Sequence, residues 1–407
     1  MRKHVRAIVA VGLGAALVGS LALITVGSSR RTDGAAPAPE GTLPGANLVP
    51  SRVAMSSPVD ADAQFYWEIG GEPRSLIPLD EILSGGPPPD GIPAIDDPRF
   101  QPVEAATWLE GNEPVVAFEV NGDARAYPVQ ILTWHEIVND VVGGGPVAIT
   151  FCPLCNSAMA FSRRVGDLVL DFGTSGRLYK SDLVMFDRQT KSLWPQIEGR
   201  AVVGPLIGSR LDVLPASMVS WADWRAAHPD GQVLSRDTGF SRPYGDNPYT
   251  GYDAEGNSPF LFSGSVDGRL PAMERVLAVE LGGQALAYPF TKLDRAAPTA
   301  VNDTVGGQEL VVFFDKGTSS ALDTDRIAEG KDVGATGLFT PVLAGRRLTF
   351  EVQEGAFVDR ETGSRWDILG RAVNGPLEGQ ALEPLPHIDT FWFAWGAFRP
   401  DTEIWTP

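Results

Sequence analysis

A segment that reads VVAFEVNGDARAYPVQIL from Val115 is met again as VLAVELGGQALAYPFTKL from Val276, about 160 residues later. Three further pairs of blocks follow in the same order. VNDVVGGGPVAITFCPLCNSA matches VNDTVGGQELVVFFDKGTSSA, and FDRQTKSLWPQIEGRAVVGPLIGSRLDVLP matches VDRETGSRWDILGRAVNGPLEGQALEPLP. WADWRAAHPDGQVL then matches WFAWGAFRPDTEIW. A spacing of this size is that of a domain, not of a solenoid unit. The chain is therefore expected to hold two tandem copies of a similar lobe, packed about a pseudo-twofold axis. Within each copy, short apolar runs such as VVAFEV and VAITF are flanked by Gly-rich turns, which suits strands. Asn121, Gly122 and Asp123 read as a hairpin turn. ILTWHEIVNDV and SMVSWADWRAAHP read as short helices, the second stopped near Pro229. The expected fold class is α+β and β-rich, with an internal duplication.

The flanks complete the organisation. MRKHVR is basic, and Ala7 to Gly27 is uncharged and apolar, long enough to span a bilayer or to serve as an export signal. Residues 1–28 are read as a signal peptide or signal anchor helix, and residues 29–62, rich in Ser, Ala, Pro and Gly, as a flexible linker. The first copy is placed at 63–236, a connecting segment at 237–275 and a second, degenerate copy at 276–407. This predicts a protein of the cell membrane or an extracytoplasmic one, touching the membrane through its N-terminal helix. With 33 Lys and Arg against 51 Asp and Glu, the formal charge is −18, which argues against nucleic acid as a partner.

Comparing the copies separates shared positions from singular ones. Tyr127, Asn139, Asp140, Ser157, Asp187, Arg188 and Trp194 recur as Tyr288, Asn302, Asp303, Ser320, Asp359, Arg360 and Trp366. These are read as scaffold: an Arg–carboxylate clamp and a core Trp. The differences cluster. Cys152 faces Asp315, Cys155 faces Thr318, His135 faces Pro298 and Glu136 faces Thr299. Gln196 has no counterpart, and GTSGRLYKSDL, 173–183, is largely missing from the second copy.

Cys152 and Cys155, the only cysteines of the chain, form a C-x-x-C. The order strand, C-x-x-C, helix would put a thiol at a helix N-terminus and lower its pKa. Two thiolates with His135, and Glu136 in support, would suit a soft or borderline metal, zinc with an open position or copper with Met159 or Met185 as a further donor. A second reading is a thiol–disulfide oxidoreductase, with Cys152 attacking and Cys155 resolving. A third is nucleophilic catalysis by Cys152 with His135 as base, helped by Asn139, Asn156 or Ser175. A fourth is an extracytoplasmic binding module in which the pair is a local disulfide, a small loop that adds little stability. RPYGDNPYTGYDAEGN, from Arg242, lacks EF-hand spacing and reads as a solvated, turn-rich linker between the copies.

The run AYPVQILTWHEIVNDVVGGGPVAITFCPLCNSAMAF, followed by FGTSGRLYKSDLVMFDRQTKSLWPQ, resembles the domain of unknown function 3179 family. The likeness extends from about Pro93 to the C-terminus. It implies an exported bacterial or archaeal protein and singles out His135, Glu136, Cys152 and Cys155, without choosing between metal and redox chemistry.

Overall fold

Strands carry the architecture, and among the described residues the α-helices are at most seven residues long, so the β-rich α+β class holds. The computed structural model describes residues 75–407 and, before them, the backbone pairing of Glu68–Ile69 with Glu72–Pro73. The expected signal or anchor and the linker lie outside the described residues. Among the described residues no helix is long and apolar enough to cross a membrane.

The strands Pro114–Val120 and Asp123–Pro128 form a hairpin closed by Asn121 and Gly122, at φ 53° and 78°. Two successive positive φ values give the turn whose twist matches the flanking strands, which is why Asn-Gly sits there. Helix Val129–His135 follows at once, and Glu136, at φ 59°, ends it. The chain then enters the antiparallel strands Ile137–Val142, Gly145–Cys152 and Ser157–Ser162. A second hairpin, Phe172–Tyr179 with Asp182–Asp187, is flanked by Leu193–Pro195 and by Ile82–Ser84. Strand Ser217–Ser220 leads into helix Trp221–Ala227, and Gln232–Leu234 returns parallel to Asp123–Pro128.

Residues 275–404 run through the same order. Arg275–Leu281 pairs with Gln284–Pro289, the short helix Phe290–Leu293 follows, and Thr299–Val305, Gln308–Asp315 and Ala335–Phe339 form the next sheet. Phe350–Gln353 and Ala356–Asp359 make the second hairpin, and Ile388–Phe391 leads into helix Trp392–Phe398. Glu403–Ile404 closes parallel to Gln284–Pro289. Matching residues also make matching bonds. Tyr127 OH donates to Asp140 at 2.6 Å and Tyr288 OH to Asp303 at 3.0 Å. Asn139 bonds Phe172 N and O as Asn302 bonds Phe350 N and O. Trp194 Nε1 donates to Asp187, and Trp366 Nε1 to Asp359, each at 3.0 Å.

Two expectations need correction. Each stretch read as one helix divides into helix and strand, because part of it bonds into a sheet: Ile137–Val142 against Gly145–Cys152, and Ser217–Ser220 against Pro114–Val120. The Arg–carboxylate clamp forms with carboxylates other than the adjacent Asp. Asp187 bonds Trp194, Thr190 and Ser192, while Arg188 reaches Asp90 and Asp96. In the second run Arg360 pairs with Glu351.

The two runs share their interior. Strand Ser157–Ser162 packs on Ile388–Phe391, and Ser217–Ser220 on Ala335–Phe339. One buried cluster joins Cys152, Cys155, Met159, Met185 and Trp194 to Phe391, Trp392 and Phe393. Each large apolar side chain so buried contributes about 2–3 kcal/mol.

Candidate metal centre

Cys152 ends its strand opposite Ser157, so Pro153, Leu154, Cys155 and Asn156 form the loop of a hairpin. Asn156 closes it in the left-handed region, φ 51°, with its N–H 3.2 Å from Pro153 O. A strand follows the C-x-x-C, not a helix, and no helix dipole lowers a thiol there. The Cys155 thiol is instead pushed well up, first by burial, then by Cys152 and Asp182. Both cysteines are free and buried, 2% and 0% exposed. Gln196 braces the loop from behind: it donates to Thr150 Oγ1 at 2.8 Å and accepts from Ser157 Oγ at 2.6 Å.

The hairpin Phe172–Tyr179/Asp182–Asp187 turns at Lys180 and Ser181, with φ 53° and 67°. For residues bearing a Cβ this conformation costs about 1 kcal/mol each. It aims the Ser181 carbonyl at both sulfurs, 3.9 Å from Cys152 Sγ and 3.5 Å from Cys155 Sγ. Asp182 follows, with Oδ1 3.8 Å from Cys155 Sγ and Oδ2 accepting from Ile197 N at 3.0 Å. Burial raises the Asp182 carboxyl well above the usual carboxylate range. The ligand atoms of Cys152, Cys155 and Asp182 lie within 4.8 Å of one another.

The lead-in segment presses on this hairpin. A Cβ on Gly176 (φ 70°) would stand 1.9 Å from Pro87 O, so only glycine fits. Asp90 N also bonds Thr174 O at 2.8 Å. In the second run the matching strands are only four residues each, against eight and six in the first.

His135 is not brought to the thiols. Its Nδ1–H donates to Pro93 O at 2.7 Å, which leaves Nε2 to accept from Tyr244 OH at 2.6 Å. Fully buried, it is held below the usual histidine range by burial and stays neutral. Among the described residues, no group of three candidate ligands includes His135 or Glu136; Asp182 completes the group instead. Glu136 borders the site. Its carbonyl accepts from Phe151 N at 2.8 Å, and burial pushes its carboxyl up to about 8. The Tyr249 phenol is raised first by burial and then by the charges of Glu136 and Cys152.

Tyr249 comes from the stretch read as a solvated linker, and that reading is corrected. Asn247 and Asp253 are buried there, Tyr244 holds His135, and Tyr252 is raised by burial and feels both thiols. Phe260 N donates to Tyr252 OH at 3.2 Å, and Ser181 Oγ donates to Phe260 O. The segment is a strap tied over the cysteine loop. Asp182, Tyr249 and Tyr252 were missed in the sequence. The signals were Asp182's place in the stretch peculiar to the first copy, and three tyrosines within a supposed linker.

Two of the residues considered for nucleophilic catalysis are otherwise engaged, while Asn156 Nδ2 has no partner. Ser175 Oγ donates to Val184 O, and Asn139 is bonded to Phe172 and Asp96. Met159 and Met185 lie in the same buried cluster as both cysteines.

No curated protein and no solved structure matches the chain. A strand-borne C-x-x-C, a longer hairpin over it and the preceding His-Glu pair all fall within residues 89–402, the span over which the chain belongs to a family of proteins of unknown function, DUF3179.

Proposed function

We propose that the protein binds one soft or borderline metal ion through Cys152, Cys155 and Asp182. One observation carries this reading: three ligand atoms from two separate hairpins lie within 4.8 Å of one another in a buried place. Acids so close oppose one another's ionisation, and a cation that displaces their protons relieves the conflict. The carboxylate favours zinc over Cu(I), and a Cys2Asp set leaves a fourth position open. Glu136 and Tyr249 border the centre and would hold or pass a proton beside it.

The redox reading stands second, supported by two free thiols within reach of each other. Burial weighs against it, because exchange needs an accessible thiolate and the Cys155 thiol is raised. A binding module with a local disulfide stands third.

The test is metal content and thiol count on the full chain, purified in detergent without a His tag under reducing conditions. One zinc or copper per chain is expected, lost in Cys152→Ser and weakened in Asp182→Asn. A metal-free protein with a readily reversible disulfide would overturn the proposal and promote the redox reading; an inert disulfide would leave the binding module.

Two further expectations belong to this reading. The matching element order and bonds support descent of the two halves from one duplicated lobe, related by a pseudo-twofold axis, with the second half serving as scaffold. The basic start and apolar run of residues 1–27 support export and attachment to the membrane. Protease protection in spheroplasts, with the body digested only after the cytoplasmic membrane is broken, would contradict an extracytoplasmic body.

A further inference from the structure

Beside the cysteine loop lies a small enclosed chamber lined by Asn156, Arg275, Thr318 and Asp389, among others. Three of these side chains, each more than nine-tenths buried, carry a polar atom without a hydrogen-bond partner: Asn156 Nδ2, Arg275 Nε and Thr318 Oγ1. All three can donate. A buried donor left unpaired costs about 1–3 kcal/mol, and such groups are rare. The chamber measures about 10 Å³, room for a single oxygen-sized group.

The chamber shares Arg275, Phe290, Val333 and Gly334 with an open cleft of about 450 Å³ on the second half. That volume falls within the range of small-molecule sites. The cations of the cleft are already matched: Arg275 and Lys331 to Asp253 at 2.7 and 3.0 Å, and Lys316 to Asp294 at 2.8 Å. Glu255, Glu274 and Asp332 form no ion pair among the described residues. The cleft thus adjoins the donor-lined chamber and carries surplus negative charge on its walls.

We propose that this cleft binds a small zwitterion of the amino-acid type. One oxygen of its carboxylate would enter the chamber beside Asn156, Arg275 and Thr318, and its ammonium would be met by Glu274 or Asp332 in the cleft. A dianion would be repelled by the walls, and a simple amine would leave the donors unanswered. The proposal stands independently of the metal reading.

The test is calorimetric titration of the full-length protein in detergent with L-alanine, propionate, ethylamine and succinate, each at millimolar concentration. Saturable binding of one L-alanine per chain is expected, with propionate and ethylamine weaker by roughly tenfold or more and succinate weakest. Thr318→Val should weaken L-alanine roughly tenfold, and Glu274→Gln should narrow the gap between L-alanine and propionate. No binding by any probe would overturn the proposal and leave the chamber to a structural water. Ethylamine or succinate binding as tightly as L-alanine would overturn it as well, as would L-alanine affinity unchanged in both variants.

Discussion

The two runs follow the same order of elements and share several internal bonds, yet among the described residues only the first gathers a group of three candidate metal ligands. Where Cys152 and Cys155 sit in the first, the second has Asp315 and Thr318. Over them the first half extends a hairpin of eight and six residues, and the second one of four and four. Those extra residues carry Ser181 and Asp182 to the sulfurs. The difference teaches that a shared frame fixes where a loop is held, whereas the reach of a neighbouring hairpin decides whether that loop becomes a site. The second half answers differently, with Thr318 facing a donor-lined chamber beside an open cleft.

The comparison breaks most readily at Glu136, which has Thr299 in its place in the second half. Its carboxyl is raised from 4.5 to about 8 by burial. A raised acid keeps its full contribution below the unfolded pKa, loses it as pH rises and levels off above the folded value. In metal-free protein, stability should therefore fall between about pH 4.5 and pH 8. Glu136→Gln should remove that slope and be more stable at pH 9 by up to roughly 5 kcal/mol. Urea unfolding across pH measures this, and parallel curves for the two proteins would remove Glu136 as the cause.

The shared frame is tested next, by Asp187→Ala and Asp359→Ala. Each strips the acceptor from a buried Trp Nε1 and from a Thr hydroxyl. Both should cost roughly 3 kcal/mol, alike within 1 kcal/mol. A large cost in one half and none in the other would show that the frame is not equivalent.

The smallest effect concerns Asp182. Asp182→Asn keeps the shape and removes a charge, so zinc affinity should fall roughly tenfold to a hundredfold while the thiol count stays unchanged. Competition with a chromophoric chelator reads it. Unchanged affinity would leave the two cysteines as the only ligands from this group.

How much of this was legible in the sequence varies by residue. Asn121-Gly122 announced its hairpin because two positive φ values admit few residues. The pairing of Cys152 with Asp315 and of Cys155 with Thr318 could be read directly from the matching blocks. His135 could not be placed that way. Its ring bonds Pro93 and Tyr244, 42 residues before it and 109 after. The expected helix after the C-x-x-C failed because Ser157–Ser162 is held as a strand between Gly145–Cys152 and Val213–Leu214. The strap looked solvated because its composition is that of loops, and composition does not record which tyrosine lies against a buried thiol.

By itself the sequence determined the repeated order of elements, the β-rich class and the neighbourhood of the chemistry, since periodicity, turn residues and unmatched cysteines are local signals. Only the tertiary structure decided which groups meet. Asp182 joined the thiols, His135 was turned away, and three residues with unpaired donors came to line one chamber. The reason is that burial and contact between residues far apart in the chain depend on how whole hairpins pack, which no short window of sequence contains.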